Sequence, residues 1–195
     1  MFKNLLFFIG LTFSVACSGC KKDAEVKDSE TAEASPITWS ECSYDIGDHP
    51  CDFTLPDQNA TGWNLYENYG SIIVLDFSTV WCYYCQVAAT DAQVLQDAYL
   101  DDDIIYVTIL IDDVYGQPPS HEVVEEWANT FGITAPVLGG SRDMLKSDEA
   151  DGWLVSGWPT FYFIDREMRL KDSIKGYSDA AMISMLDSML VEDTQ

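Results

Sequence analysis

A chain of 195 residues with 47 % apolar and 13 % aromatic content can bury the core of one well-packed domain and is not a disordered tail. The formal net charge is −23, and no Lys or Arg occurs from Asp28 through Ser141. Binding a phosphate backbone needs basic side chains, so this balance excludes a nucleic-acid role and leaves a solvated acidic surface, a salty habitat or a basic partner as its meaning. No internal stretch reaches the ~20 apolar residues that span a bilayer, and no internal repeat is present.

In chain order the first segment is MFKNLLFFIGLTFSVACSGCKK, a targeting sequence. Lys3 gives it a short positive start, and Leu5 to Ala16 form an apolar run of signal-peptide length. Val-Ala-Cys at 15–17 resembles a bacterial lipobox, whose cysteine is lipidated and becomes the new N-terminus. Ser14 stands where that motif usually has Leu, which leaves Ser-Gly-Cys20 as a competing site. Lipidation at Cys17 (or Cys20) and an ordinary secretory signal both export the protein. Residues 21–38, KKDAEVKDSETAEASPIT, are polar, charged and poor in large apolar groups. The organisation expected is therefore a signal and lipobox over 1–20, a disordered acidic tether over 21–40 and one folded domain over 41–195.

Six cysteines divide by position. Cys17 and Cys20 belong to the export segment. Cys42 and Cys51, in ECSYDIGDHPC, lie close together at a domain edge, which in an exported protein suggests a structural disulfide; free thiols or an exchange pair are the alternatives. Cys82 and Cys85 form a Cys-x-x-Cys.

CDFTLPDQNATG predicts a short strand, Asp52 to Leu55, and a turn. SIIVLDFS (71–78) is a continuous β-branched apolar run, the pattern of a strand buried on both faces. It leads into TVWCYYC and then QVAATDAQVLQDAYL, whose apolar positions follow helical spacing until the triple Asp at 101–103. IIYVTILID (104–112) is a second buried strand. Ser120 is a candidate N-cap for HEVVEEWANTFG (121–132), a helix stopped by Gly132. APVLGG reads as a short strand and turn, and the polar stretch 141–157 as holding a short helix. WPTFYFID (158–165) and RLKDSIKGY are strands around a turn, and SDAAMISMLDSML is a closing helix capped by Ser178. Buried strands alternating with helices argue for an α/β sandwich around a mixed sheet.

A Cys-x-x-Cys between a buried strand and a helix N-terminus has a defined chemistry. Free amides and the helix dipole favour the thiolate of the first thiol, which attacks a disulfide; the second, one turn further in, resolves the mixed disulfide. Zinc needs about four ligands, and the two histidines, His49 and His121, offer no second ligand pair. Inert buried thiols are the other alternative. Asp76 falls six residues before Cys82, and strand alternation aims it inward beneath the dithiol, where desolvation would raise its pKa and let it trade protons with Cys85. A partly solvated strand-edge Asp is the plainer reading. Pro159, after Gly-Trp at the start of a buried strand, is a candidate cis peptide beside the dithiol.

These residues resemble the thioredoxin superfamily, and within it the TlpA/ResA-like branch of membrane-anchored thiol–disulfide oxidoreductases. The likeness runs from about Ile46 to Leu190 and rests on four ordered stretches: IGDHPCDFTLPD, IIVLDFSTVWCYYC, EEWANTFGITAPVL and GWPTFYFIDREMRL. It implies a thioredoxin-like α/β fold, a central mixed sheet flanked by helices with an N-terminal extension and an inserted helix and strand. By carry-over Cys82 is the nucleophile, Cys85 the resolving thiol, Asp76 the buried acid, Pro159 the cis-proline and Trp81 a shield over the dithiol. Trp81, Tyr83, Tyr84 and Trp158 would meet the substrate. The resemblance implies no cofactor and no metal, protein thiols or disulfides as substrates and an upstream membrane electron donor. It also implies an exported, periplasm-facing, lipid-anchored monomer with the outer membrane favoured, acting as a reductant in cytochrome c maturation or envelope redox homeostasis. Tyr83-Tyr84 departs from a dipeptide that commonly includes proline, Gln86 stands where a basic residue is common, and bulky Trp158 precedes the proline. Two other functions are compatible with the sequence. One is a non-catalytic thioredoxin-fold binding lipoprotein using the aromatic face. The other is a peroxiredoxin-like peroxidase, for which Thr79 fits Pro-x-x-x-Thr-x-x-Cys but Leu75 replaces the proline.

Overall fold

The structure, a computed structural model, describes residues 37–192. The export segment, the lipidation candidates Cys17 and Cys20, and the tether up to residue 36 lie outside the described residues. The elements run β1 (Thr54–Pro56), β2 (Gly62–Asn64), β3 (Ile72–Thr79), α1 (Tyr83–Ala98), β4 (Ile104–Asp112), α2 (His121–Phe131), β5 (Val137–Gly139), β6 (Thr160–Ile164), β7 (Leu170–Lys175) and α3 (Asp179–Glu192). β1 and β2 pair as a small antiparallel hairpin, and the main sheet has the order β5-β4-β3-β6-β7. β4 lies parallel to both β3 and β5, whereas β6 is antiparallel to β3 and β7, so the sheet is mixed.

β3 is the central strand, and all eight of its residues are buried. Alternation divides them between two cores. Ile72 and Val74 join Tyr106, Leu110, Phe161 and the buried residues of α1, α2 and α3. Ile73, Leu75 and Phe77 join Val107, Ile109, Ile111, Tyr162 and Trp153 on the opposite face. The buried helical residues thus serve one face; Phe53, Leu55 and Trp63 of the hairpin region and Tyr44 cover the other.

Several elements differ from expectation for local reasons. α1 begins at Tyr83, ahead of the apolar periodicity, because Cys82 takes an extended conformation as N-cap and its sulfur accepts from the Cys85 amide. α1 ends at Ala98; a single 3-10 turn over Leu100–Asp102 follows, and Asp103 adopts the left-handed conformation that Asp tolerates. Ser120 does precede α2, but its side chain makes no cap bond; its carbonyl accepts from Val123 and Val124. Gly132 ends α2 in the left-handed conformation. β2 was not foreseen: Asp57 accepts from the Asn59 and Thr61 amides, both at 2.8 Å, and turns the chain back onto β1. The stretch 141–157 holds a 3-10 turn, Arg142–Met144, and then inserts Trp153 into the second core, 5.2 Å from Phe77 and 4.8 Å from Tyr162 between ring centres. A Cβ on Gly152 would meet the Met144 carbonyl oxygen at 2.6 Å, so only glycine admits this approach. Trp39, read as tether, stacks on His49 at 3.6 Å and donates to the Tyr66 hydroxyl at 2.9 Å, so order begins before residue 41.

Candidate active site

The carboxyl end of β3 delivers the chain through Thr79, Val80 and Trp81 to Cys82. Two bonds shape this turn: the Cys82 amide donates to the Thr79 carbonyl at 3.2 Å, and the Cys85 amide donates to the Cys82 sulfur at 3.2 Å. The second bond places a helix-terminal N–H against the first thiol, where it stabilises negative charge on sulfur. Both cysteines are free thiols; Cys82 retains slight exposure and Cys85 none. The order of exposure is that of an outer attacking thiol and an inner one.

Asp76 lies on the helix-facing side of β3, between Thr108 of β4 and Phe161 of β6 in the ladder. It is buried. Ser78 Oγ donates to its Oδ1 at 2.6 Å and Tyr106 Oη to its Oδ2 at 3.0 Å. Burial pushes its pKa up to about 7, against the pull of the Ser78 and Tyr106 hydrogen bonds. Burial likewise pushes the Cys85 thiol well up, assisted by its hydrogen bond with Cys82 and the nearby charge of Asp76, while Ser78 lowers it. The Tyr106 hydroxyl is driven far above its ordinary value by burial and then by Asp76, and so stays a neutral donor. Cys85, Ser78, Asp76 and Tyr106 form one buried proton-holding group.

The β3–β6 register sets Phe77 opposite Thr160, which brings the start of β6 to the dithiol end of the sheet. The Trp158–Pro159 peptide there is cis. Trp81 and Trp158 meet edge to face with ring centres 6.5 Å apart, so the loop before Cys82 and the loop before Pro159 touch. Trp81 is 48 % exposed, Tyr83 71 % and Tyr84 61 %, whereas Trp158 is half-buried. Tyr83 and Tyr84 pack edge to face on each other at the outer rim. Cys42 and Cys51 are bridged to one another elsewhere, and among the described residues no group of three or more His, Cys, Asp or Glu side chains is placed to hold a metal ion.

The sequence reading missed Ser78 and Tyr106. Ser78 was accessible from strand alternation, being two residues from Asp76 on the same face. Tyr106 required the β3–β4 register, which pairs it with Val74. Asp112 was also missed: at the buried end of β4 it is held by Arg142, whose Nε donates to Oδ1 at 2.9 Å and whose second nitrogen donates to Oδ2. That pairing occupies the first cation after the long acidic tract.

A five-stranded mixed sheet with a dithiol at a helix N-terminus and a cis-proline loop against it defines a thioredoxin-like protein of the thiol–disulfide oxidoreductase class. The chain belongs to the AhpC/TSA family, whose model matches residues 46–173. It is 25 % identical over 131 residues to the thiol-disulfide oxidoreductase ResA of Geobacillus thermodenitrificans, covering 67 % of this chain and 70 % of that one. Its fold is similar to that of a thioredoxin-family thiol:disulfide interchange protein from Chlorobium tepidum, with a TM-score of 0.60, 18 % identity and coverage of 78 % and 99 % of the two chains. An exposed lipoprotein thioredoxin from Streptococcus pneumoniae matches with a TM-score of 0.58 at 23 % identity, over 71 % of this chain and 99 % of that one.

Proposed function

We propose that this protein is an exported thiol–disulfide oxidoreductase that reduces protein disulfides through Cys82 and Cys85. The observation that carries the reading is the stacked arrangement at one sheet end: a helix amide on the Cys82 sulfur, Cys85 behind it, and Asp76 below with a pKa near 7. The Cys82 thiolate attacks one sulfur of a substrate disulfide. The substrate S–S bond breaks, a mixed disulfide forms, and the departing sulfur takes a proton from water. Cys85 then gives its proton to the Asp76 carboxylate and attacks the Cys82 sulfur. A Cys82–Cys85 disulfide forms, and the second substrate thiol is released. Two electrons pass from the dithiol to the substrate, and a reduced dithiol of an upstream membrane donor restores the pair. Ser78 and Tyr106 hold Asp76 in place; Pro159, Trp158, Trp81, Tyr83 and Tyr84 line the approach of the substrate.

The domain would follow an export leader with lipid attachment at Cys17 (or Cys20) and a tether, facing the periplasm as a lipid-anchored monomer with the outer membrane favoured. The similarity to a thiol-disulfide oxidoreductase supports the reaction class; the reductive direction and a place in cytochrome c maturation or envelope redox homeostasis are what the TlpA/ResA-like resemblance of the sequence implies. Two measurements test the reading. Wild type should reduce insulin disulfides and Cys82→Ser should not. The equilibrium potential against glutathione should fall near −270 mV, thioredoxin's value, and one near −120 mV, that of DsbA, would overturn the reductive direction.

The exposure of Trp81, Tyr83 and Tyr84 favours a second reading, a module that holds partners through this aromatic face without turnover. Equal insulin reduction by wild type and Cys82→Ser would move the assignment there. Peroxide consumption without a protein substrate would instead revive the peroxidase.

A further inference from the structure

A groove with a volume of about 330 Å³ opens beside the dithiol. Val80 from the loop before Cys82, Gln86 from the first turn of α1 and Val114 from the loop after β4 form one side; Val123, Trp127 and Phe131 of α2 form the other. Gln86 donates to the Val80 carbonyl at 2.9 Å, which fixes the wall nearest the thiols. The α2 residues recur at helical spacing, so one apolar stripe of the helix lines the groove while acidic residues remain exposed around it. Trp127 Nε1, in this wall, is a buried donor with no hydrogen-bond partner, the kind of group that a ligand or water completes.

The lining residues carry negative charge and no cation. Every lining residue falls within the tract that has no Lys or Arg, and Glu126 is one of them. The nearest cation in sequence, Arg142, is engaged by Asp112. Lys146 faces Asp151 at 3.4 Å, Arg166 bonds the carbonyls of Gly70 and Asp102, Arg169 that of Gly47, and Lys171 pairs with Glu192. Lys175 lies on β7, the sheet edge opposite β5, against which α2 packs. An apolar slot with an un-neutralised acidic rim complements a cationic chain that also carries an apolar anchor. A second copy of this protein would bring the same acidic surface and be repelled by the rim.

We propose that this groove docks the partner polypeptide and selects a cationic segment with one large apolar side chain a few residues from its reacting cysteine. The proposal rests on the oxidoreductase reading, and adds to it which disulfides are preferred.

The test uses four peptides of equal length, each with one cysteine held as a mixed disulfide with nitrothiobenzoate. They combine Lys or Glu flanks with Phe or Ser at the anchor position. Reduced wild-type protein should release the chromophore from the Lys/Phe peptide at least about tenfold faster than from the Glu/Ser peptide. The Lys-over-Glu ratio should collapse in about 0.5 M salt, where the Debye length falls to a few ångströms. Thr130 of α2 also lines the groove, and the Phe-over-Ser ratio should fall toward one in Thr130→Trp, which fills the slot; the ratio cancels any general loss of rate. Equal rates for all four peptides, a salt-independent Lys preference, or a Phe preference that survives Thr130→Trp each overturn the proposal. If the variant does not fold, the salt series on wild type still decides. Reaction with dithiobis(nitrobenzoate) alone keeps the two readings apart: no reaction with it sinks the oxidoreductase assignment itself, whereas reaction with it and no peptide preference sinks only the groove.

Discussion

Cys42–Cys51 and Cys82/Cys85 are the same chemical groups in two different frames. The first pair closes a loop of sequence separation 9 outside any regular element. Its surroundings are exposed turns, held by Ser43 N–H to the His49 carbonyl at 2.9 Å and Ser43 Oγ to Asp48 at 2.7 Å. The second pair sits where a fully buried strand becomes a helix, with an amide aimed at one sulfur and a protonatable carboxyl beneath the other. Proximity of two sulfurs is common to both. What separates a cross-link from a reactive dithiol is the machinery for placing a negative charge and moving a proton, and among the described residues that machinery surrounds Cys82 and Cys85 alone.

That contrast is broken most directly by exchanging the roles of the pairs. Cys82→Ser should lower insulin reduction by at least about a thousandfold, while Cys42→Ser/Cys51→Ser should leave it within about twofold; comparable losses in the two variants would erase the distinction. Asp76 gives the next largest effect. Its carboxyl keeps a proton in the folded state up to about pH 7, whereas the unfolded chain releases it near 3.8. Between those values the native state binds more protons, so stability falls as pH rises, by about 4 kcal/mol in all, and levels off above pH 7. Asp76→Asn should lack this slope; urea unfolding of both proteins at pH 5 and pH 8 measures it, and parallel curves would refute a buried acid with a raised pKa.

Removing the Cys42–Cys51 bridge should cost about 2–3 kcal/mol of stability through loop entropy, read as a lower urea midpoint. An unchanged midpoint would mean that Trp39, His49 and Ser43 hold the loop without it. The smallest effect sharpens the comparison inside the site. Ser78→Ala and Tyr106→Phe each remove one donor from the Asp76 carboxylate, worth about 1–2 kcal/mol, so its pKa should rise by about one unit. The pH profile of the resolving step, followed by quenched-flow trapping of the mixed disulfide, should move upward by the same amount, and a fixed profile would make both residues mere packing.

The parts legible in the sequence are those that local pattern controls. IIVLDFS and IIYVTILID declare buried strands by their β-branched runs, and Gly132 marks the end of α2. Asp76 was placed inward by period-two alternation alone. Trp153 escaped because it follows the polar run Lys146–Asp151 and its burial depends on Gly152 letting two backbone segments come close. Tyr106 escaped because reaching Asp76 depends on the register between two strands separated by a helix. The groove was invisible for the same reason: its walls lie on four segments that only the folded chain brings together.

The N-terminal end of the domain has a mechanical consequence. Trp39 stacks on His49, His49 donates through Nδ1 to the Met168 carbonyl at 2.8 Å, and Gly47 N–H bonds the Leu170 carbonyl at 2.7 Å. These contacts grip the β6–β7 turn, at the end of the sheet opposite the thiols. A pull on the chain at Ile37 is therefore borne by this clasp and by the covalent loop between Cys42 and Cys51. The β6–β7 turn that the clasp holds lies at the far end of the sheet from the junction of β3 and α1. A force entering ahead of Trp39 thus meets the domain at the pole farthest from the sulfur geometry.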